Sequence, residues 1–218
     1  MNKKIVLIGS GGHAKVIAEI LIKTKNRPEY VVSPDINAEH SRMFFGGCLT
    51  LKNDESLLDF STSEIDIVNG IGSLPYRNER YNFYNKFSNL GYSFRTVISP
   101  NAIISSSAEI SAGVHIMSGA IIQSGVKIGS NTIINTGAVI DHDCSIGSNN
   151  HIAPGVVISG NVETGEQVHI GTNASVIQNI KIGSNSIIGA AAPVTKDIPS
   201  DHVLHPGKPF LIRKSYEE

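Results

Sequence analysis

Seventeen consecutive six-residue units run from Ile98 to Pro199 without an insertion, and sixteen of them begin with Ile or Val, Thr164 being the exception. The fifth position is small or β-branched in nearly every unit (Ala102, Val114, Ala138, Cys144, Val168), with Asn150 and Ser186 as polar exceptions. A period of six does not fit the 3.6-residue turn of a helix. A strand alternates sides every two residues, so a strict six requires short strands joined by turns. Three such strands close one coil of 18 residues. Stacking the coils aligns the first-position side chains inside and gives each strand a partner above and below. Gly129, Gly147, Gly165 and Gly183 recur every 18 residues. They are expected along one edge of the prism, at a tight corner that favours glycine.

The first half reads differently. In "KKIVLIGSGGHAKVIAEIL" the apolar run Ile5 to Ile8 suits a buried parallel strand. The turn Gly9–Gly12 opens a helix whose apolar positions Val16, Ile17, Ile20 and Leu21 are expected on one face. A second strand, "YVVSPDI", reaches Asp35, a third spans Glu64 to Gly72, and a helix is expected from about Tyr76 to Leu90. This is a small Rossmann-like α/β unit. Its glycine turn is either a plain structural turn or a place where backbone N–H groups and a helix N-terminus approach a phosphate. The dinucleotide pattern GxGxxG is incomplete, because Ala14 stands in the third glycine position.

Composition narrows the function. Formal net charge is −1, with Lys and Arg dispersed, so no basic footprint for nucleic acid or an anionic membrane is present. Cys48 and Cys144 lack metal-ligand spacing. Cys144 occupies an inward position and reads as core. The N-terminal apolar run is too short for a signal peptide or a membrane span, and a cytoplasmic protein is expected.

The hexad pattern resembles the left-handed β-helix acyltransferases, which supplies the handedness. Those enzymes are trimers that place acetyl-coenzyme A between neighbouring prisms. A GxGGH-type α/β unit followed at once by the hexads resembles the nucleotide-sugar acetyltransferases of the bacillosamine, perosamine and sialic-acid type. The resemblance implies three parts: a sugar-nucleotide-binding α/β domain over 1–95, a left-handed β-helix over 96–198, and a C-terminal cap over 199–218. It implies acetyl-CoA as cosubstrate with no metal, a nucleotide-linked amino sugar as acceptor, and a homotrimer that does not insert into membranes. Gly11, Gly12 and His13 would meet the nucleotide's phosphates and Asp35 its base or ribose. Gly72 and Ser73 would close the pocket.

The stretch "VIDHDCSIG" matches that family's catalytic motif, which makes His142 the general base. Asp143 or Asp141 would orient its imidazole. His115, His151 and His169 all fall sixth in their hexads. His115 and His169 read as polar surface positions. The resemblance promotes His151 to a contact with acetyl-CoA near the thioester, with Gly160, Thr172 and Ala190 flanking the pantetheine. His202 and His205 read as solvated. Lys208, Arg213 and Lys214 either meet coenzyme A phosphates or form a solvated tail. The outward apolar residues Ile121, Ile133, Val139 and Val157 predict burial against another subunit. The implied activity is transfer of acetyl to the 4-amino group of a nucleotide-linked amino-dideoxy sugar for bacterial surface glycans. The alternatives are O-acetylation of a sugar such as sialic acid, and a non-enzymatic structural or binding β-helix trimer.

Overall fold

The computed structural model describes residues 3–34 and 38–207. Asp35, Lys208, Pro209, Arg213 and Lys214 lie outside the described residues. The N-terminal unit is a five-stranded parallel sheet. In chain order its elements are β1 (Lys4–Ile8), α1 (Gly12–Lys23), β2 (Tyr30–Val32), α2 (Ala38–Phe45), β3 (Leu49–Leu51), β4 (Ile65–Val68), α3 (Glu79–Asn89) and β5 (Ser93–Phe94). The strand order is β3-β2-β1-β4-β5. The chain therefore reverses direction across the sheet between β1 and β4. Open parallel sheets bind ligands at that switch point, beyond the carboxyl ends of the strands.

Several local expectations shift. The buried stripe of α1 is Ala14, Ile17, Ala18, Ile20 and Leu21. Val16 is 42% exposed, because it sits about 100° around the helix from Ile17. The third helix starts at Glu79 rather than Tyr76. Tyr76 adopts a left-handed φ of 63°, and Pro75 precedes it, so the segment turns before it can coil. The elements α2 and β3 carry no strong periodicity and were not expected.

From Val97 the chain visits three parallel sheets in strict rotation, two residues at a time. This is the left-handed β-helix. The register is the predicted one: Ile122 pairs with Ile140, and Ile140 with Ile158, each one coil of 18 residues further on. First- and fifth-position side chains fill the interior, Cys144 among them with no exposed surface. The exceptions to the repeat pair with each other. Asn150 Nδ2 donates to Thr164 Oγ1 at 2.6 Å, and Asn150 Oδ1 accepts from Val168 N at 2.7 Å. Ser186 Oγ donates to the carbonyl of Pro199. Asn150, Thr164 and Ser186 thus have their partners, which removes the cost of burying them.

The corners correct one reading of the glycines. From Gly113 to Ala191 the left-handed residue of each turn is the fourth of the hexad, among them Gly119, Gly125, Gly137 and Gly155, and Asn131, Asp143, Asn149 and Asn161. Asn and Asp tolerate that region better than other side chains. The recurring Gly129, Gly147, Gly165 and Gly183 are not left-handed. They are glycine because coils touch there: a Cβ on Gly147 would lie 2.2 Å from the Gly165 carbonyl oxygen.

The three faces have three fates. One carries Glu109, Lys127, Glu163 and Lys181 outward, paired at 3.2 Å and 3.3 Å. A second is apolar, with Ile103 66% exposed, Val157 46% exposed, and Ile121 and Val139 half-buried between them. The third is covered by the α/β unit. There His115 and Ile133 are buried at 0% and 1%, correcting their reading as outward surface positions. Both do point out of the prism, but the α/β unit of the same chain lies on top of them. Val203–Leu204 adds a last strand to this docked face, beside Ile187–Ile188. Among the described residues no helix is long and apolar enough to cross a membrane.

Candidate active site

His142 stands at the corner between the apolar and charged faces, two residues beyond the strand Val139–Ile140. Its Nδ1 lies 2.8 Å from Asp143 Oδ2. A carboxylate only accepts, so Nδ1 carries the proton and Nε2 is left as the free base. Asp141 is engaged elsewhere, its Oδ1 accepting from the His142 backbone N–H at 2.8 Å. Asp143 therefore orients the ring, and Asp141 fixes the backbone beneath it. The Asp143 hydrogen bond, then the Asp141 charge, raise the His142 pKa above its ordinary value.

Two glycines clear space for this pair from the adjoining coils. A Cβ on Gly160 would meet His142 Cε1 at 2.6 Å and Nε2 at 2.7 Å, and one on Gly125 would meet Asp143 Oδ1 at 2.6 Å. Asp143 occupies the left-handed corner position at φ 59°. That backbone turn is what folds its carboxylate back onto the neighbouring ring. Cys144 Sγ is buried and donates to the Ser159 carbonyl, and burial raises its pKa. It is core and not a nucleophile.

A second cluster lies on the opposite side of the prism. The turn after β1 and the segment after β4 meet at the switch point, where a Cβ on Gly72 would come 3.7 Å from His13 Cβ. Gly11 caps α1 with extended backbone, no side chain caps the helix, and its first turn holds no acidic residue. Added Cβ atoms on Gly11 and Gly12 meet nothing within 4 Å. The free N–H groups of the helix terminus thus open onto unfilled space, the arrangement that receives an anion. Ser10 Oγ and Ser33 Oγ share a hydrogen bond of 2.8 Å at the base of the turn.

The docked face joins this cluster to the prism. His13 Nε2 lies 3.1 Å from His115 Nδ1. His151 Nδ1 donates to the Ser73 carbonyl at 3.1 Å, so its Nε2 accepts from Asn135 Nδ2 at 3.2 Å. His169 packs edge-on against His151, ring centroids 4.8 Å apart. It is half-buried beside a cleft of about 510 Å³ rather than a free surface residue, again because the α/β unit shelters it. His202 and His205 are exposed, as expected. Burial, chiefly, holds His13 and His151 at a pKa of about 3. Arg80, itself buried, adds to this. Its guanidinium donates to the carbonyls of Asn69, Ile71 and Asn131, stapling the segment after β4 to the prism. Arg80, Asn135 and Gly125 escaped the sequence reading. Only Gly125 left a signal, one hexad coil before Asp143.

The predicted residues therefore fall into separate groups. His142, Asp143 and Gly160 share one edge. Gly11, Gly12, His13, Gly72, Ser73 and His151 gather on the face opposite. Thr172 and Ala190 lie exposed, one coil apart, on the edge between the docked and apolar faces. No single chain brings the three groups together.

The fold and these clusters define a left-handed β-helix transferase carrying a small parallel α/β unit. Residues 4–83 match the PglD N-terminal domain and residues 125–160 the bacterial transferase hexapeptide, six repeats. A perosamine N-acetyltransferase variant from Caulobacter crescentus, in complex with CoA and GDP-perosamine, is 31% identical over 93% of each chain, with a TM-score of 0.82. The acetyltransferase domain of PglB from Neisseria gonorrhoeae, in complex with acetyl coenzyme A, is 31% identical over 96% of this chain and 100% of that one, with a TM-score of 0.81. WeeI from Acinetobacter baumannii shares the fold at 21% identity and a TM-score of 0.79. No curated protein sequence matches the chain. The chain belongs to the hexapeptide-repeat nucleotide-sugar acetyltransferases.

Proposed function

We propose that this protein transfers acetyl from acetyl-CoA to the 4-amino group of a nucleotide-linked amino-dideoxy sugar, with His142 as general base. The reaction would supply an acetamido sugar for bacterial surface glycans, in the cytoplasm where both substrates are made. The carrying observation is the His142–Asp143 pair at 2.8 Å, exposed on a prism edge with Gly160 beneath the ring. The amine attacks the thioester carbon, and its proton must leave as the C–N bond forms. His142 Nε2 takes that proton, and Asp143 steadies the imidazolium. Thiolate departure then completes the transfer, and no enzyme-bound intermediate is required.

The glycine turn supports a nucleotide diphosphate at Gly11, Gly12 and His13, closed over by Gly72 and Ser73. Asp35 is assigned to its base or ribose. Thr172 and Ala190, small and exposed along one edge, are assigned to the pantetheine arm. His151, on the docked face, is assigned to acetyl-CoA near the thioester, and Lys208 to the coenzyme A phosphates. The perosamine enzyme crystallised with a histidine changed to Asn or Ala, holding CoA and GDP-perosamine, supports the assignment of a histidine base.

The opposed half-sites support a homotrimer. A sugar held on the docked face of one chain cannot reach that chain's own His142 across the prism, but a neighbour's edge can come to it. The outward apolar row Ile103, Ile121, Val139 and Val157 supplies the face for packing around a threefold axis. Thiol release from acetyl-CoA should occur with one or more of UDP-, dTDP- or GDP-linked 4-amino sugars. It should fall roughly 10²–10⁴-fold in His142→Ala with coenzyme A affinity kept. At sugar concentrations well below the raised KM of Gly11→Val, mixed trimers of His142→Ala and Gly11→Val chains should be more active than either homotrimer. No thiol release with any amino sugar, or no recovery in verified mixed trimers, refutes the reading.

A further inference from the structure

We infer that His115, buried between the β-helix and the α/β unit, sets the tautomer of His13 and so turns His13 into a hydrogen-bond donor beside the glycine turn. The inference rests on the proposed binding of a nucleotide diphosphate at that turn.

The two imidazoles lie with ring centroids 5.3 Å apart and share one hydrogen bond, between His13 Nε2 and His115 Nδ1. Burial, aided by the charge of Arg80, holds both rings neutral. Two neutral rings can place only one proton between the facing nitrogens. If His13 Nε2–H donates, His115 must carry its own proton on Nε2. That nitrogen is fully buried and has no partner among the described residues. An orphaned N–H there also sits in the field of Arg80, whose guanidinium is buried and has no acidic partner among the described residues. Both features disfavour this arrangement.

In the other arrangement His115 Nδ1–H donates to His13 Nε2. His115 Nε2 is then a bare lone pair, which the positive field of Arg80 favours. A water bridging the unpartnered Arg80 Nη2 to it would run in the same sense, since a guanidinium only donates. His13 must now carry its proton on Nδ1. That nitrogen has no protein partner among the described residues, and His13 is the second residue of α1, beside Gly11 and Gly12. The chain Arg80, His115, His13 thus delivers a neutral N–H donor to the site where the helix N-terminus opens, suited to a phosphate oxygen. His115 is a positioning residue and touches no substrate.

Long-range ¹⁵N–¹H NMR on the ¹⁵N-histidine-labelled full chain reads the tautomer directly. His13 should be protonated on Nδ1 in the free protein, and this resonance should shift on adding UDP or GDP. His115→Leu removes the internal donor. It should raise the nucleotide-sugar KM roughly 10- to 100-fold, the loss of one hydrogen bond to a charged group, with acetyl-CoA KM unchanged. His115→Asn keeps an amide donor near the Nδ1 position and should restore most of the loss. Protonation of His13 on Nε2 overturns the inference, and so does a His115→Leu enzyme with unchanged nucleotide-sugar KM. Because the tautomer is read without substrate, a protein that fails to acetylate any amino sugar would sink the proposed function and leave this result standing. If His115→Leu does not fold, the spectrum of the unaltered chain decides.

Discussion

Gly160→Ala should separate catalysis from stability. The added methyl would lie 2.6 Å from His142 Cε1 and 2.7 Å from Nε2, where ordinary contacts begin at 3.4 Å. The imidazole must therefore move by about 0.8 Å, close to the ~1 Å misplacement that costs roughly 10²-fold in rate. The 2.8 Å bond to Asp143 cannot survive that movement unchanged. The fold, in contrast, loses nothing. His142 is 60% exposed and can swing outward, and Gly160 is not in the left-handed region. Alanine there restricts the unfolded chain, a gain of about 0.4–1 kcal/mol. The expected outcome is a kcat about 10²-fold lower with an unchanged or slightly higher Tm. Steady-state thiol release and thermal unfolding of the same preparation measure both. A kcat within threefold of the parent, or a Tm that falls in step with kcat, refutes the argument that Gly160 exists to seat the base.

Three further outcomes follow from named groups. Asp143 raises the His142 pKa, so kcat/KM should climb with pH through a limb above 6.5, and Asp143→Asn should move that limb down, as a pH profile will show. His13 and His151 are held at about 3 in the folded state and titrate near 6.5 when unfolded, so their contribution to stability is whole above pH ~6.5 and declines from there toward pH 3. The slope is up to ~1.4 kcal/mol per pH unit for each ring, so denaturant midpoints should fall between pH 7 and 5, before most carboxylates titrate; constant midpoints would contradict it. Gly11→Val should leave Tm near the parent value, because the space beside Gly11 is empty, yet raise the nucleotide-sugar KM and not the acetyl-CoA KM; the reverse pattern would exchange the roles of the two half-sites.

The prism, its register and the corner position of the His142–Asp143 pair were legible in the sequence because they are local and repetitive. An apolar side chain every sixth residue can be buried in only one way, and a histidine between two aspartates at the third hexad position must sit at a corner. The pairing of Asn150 with Thr164 was half visible, as two exceptions whose complementarity only the stacked coils reveal. The residues alone give the glycine turn and the segment around Gly72 as separate loops, and the family resemblance is what joins them in one pocket. Their meeting at the switch point follows from the strand order β3-β2-β1-β4-β5, which no local pattern encodes.

What the repeat determined by itself is that His115, Ile133, His151 and His169 all point outward from one face. Periodicity assigns a side chain to a face but not a neighbour to the face. Only the docking of the α/β unit made that face an interior, burying His115 and Ile133, depressing four histidine pKa values and enclosing Arg80. The same docking put the glycine turn and His142 on opposite sides of one chain. The physical reason is that burial and electrostatic shifts arise from contacts between residues such as His13 and His115, far apart in the chain, and the free energy of such contacts exists only once both partners are placed.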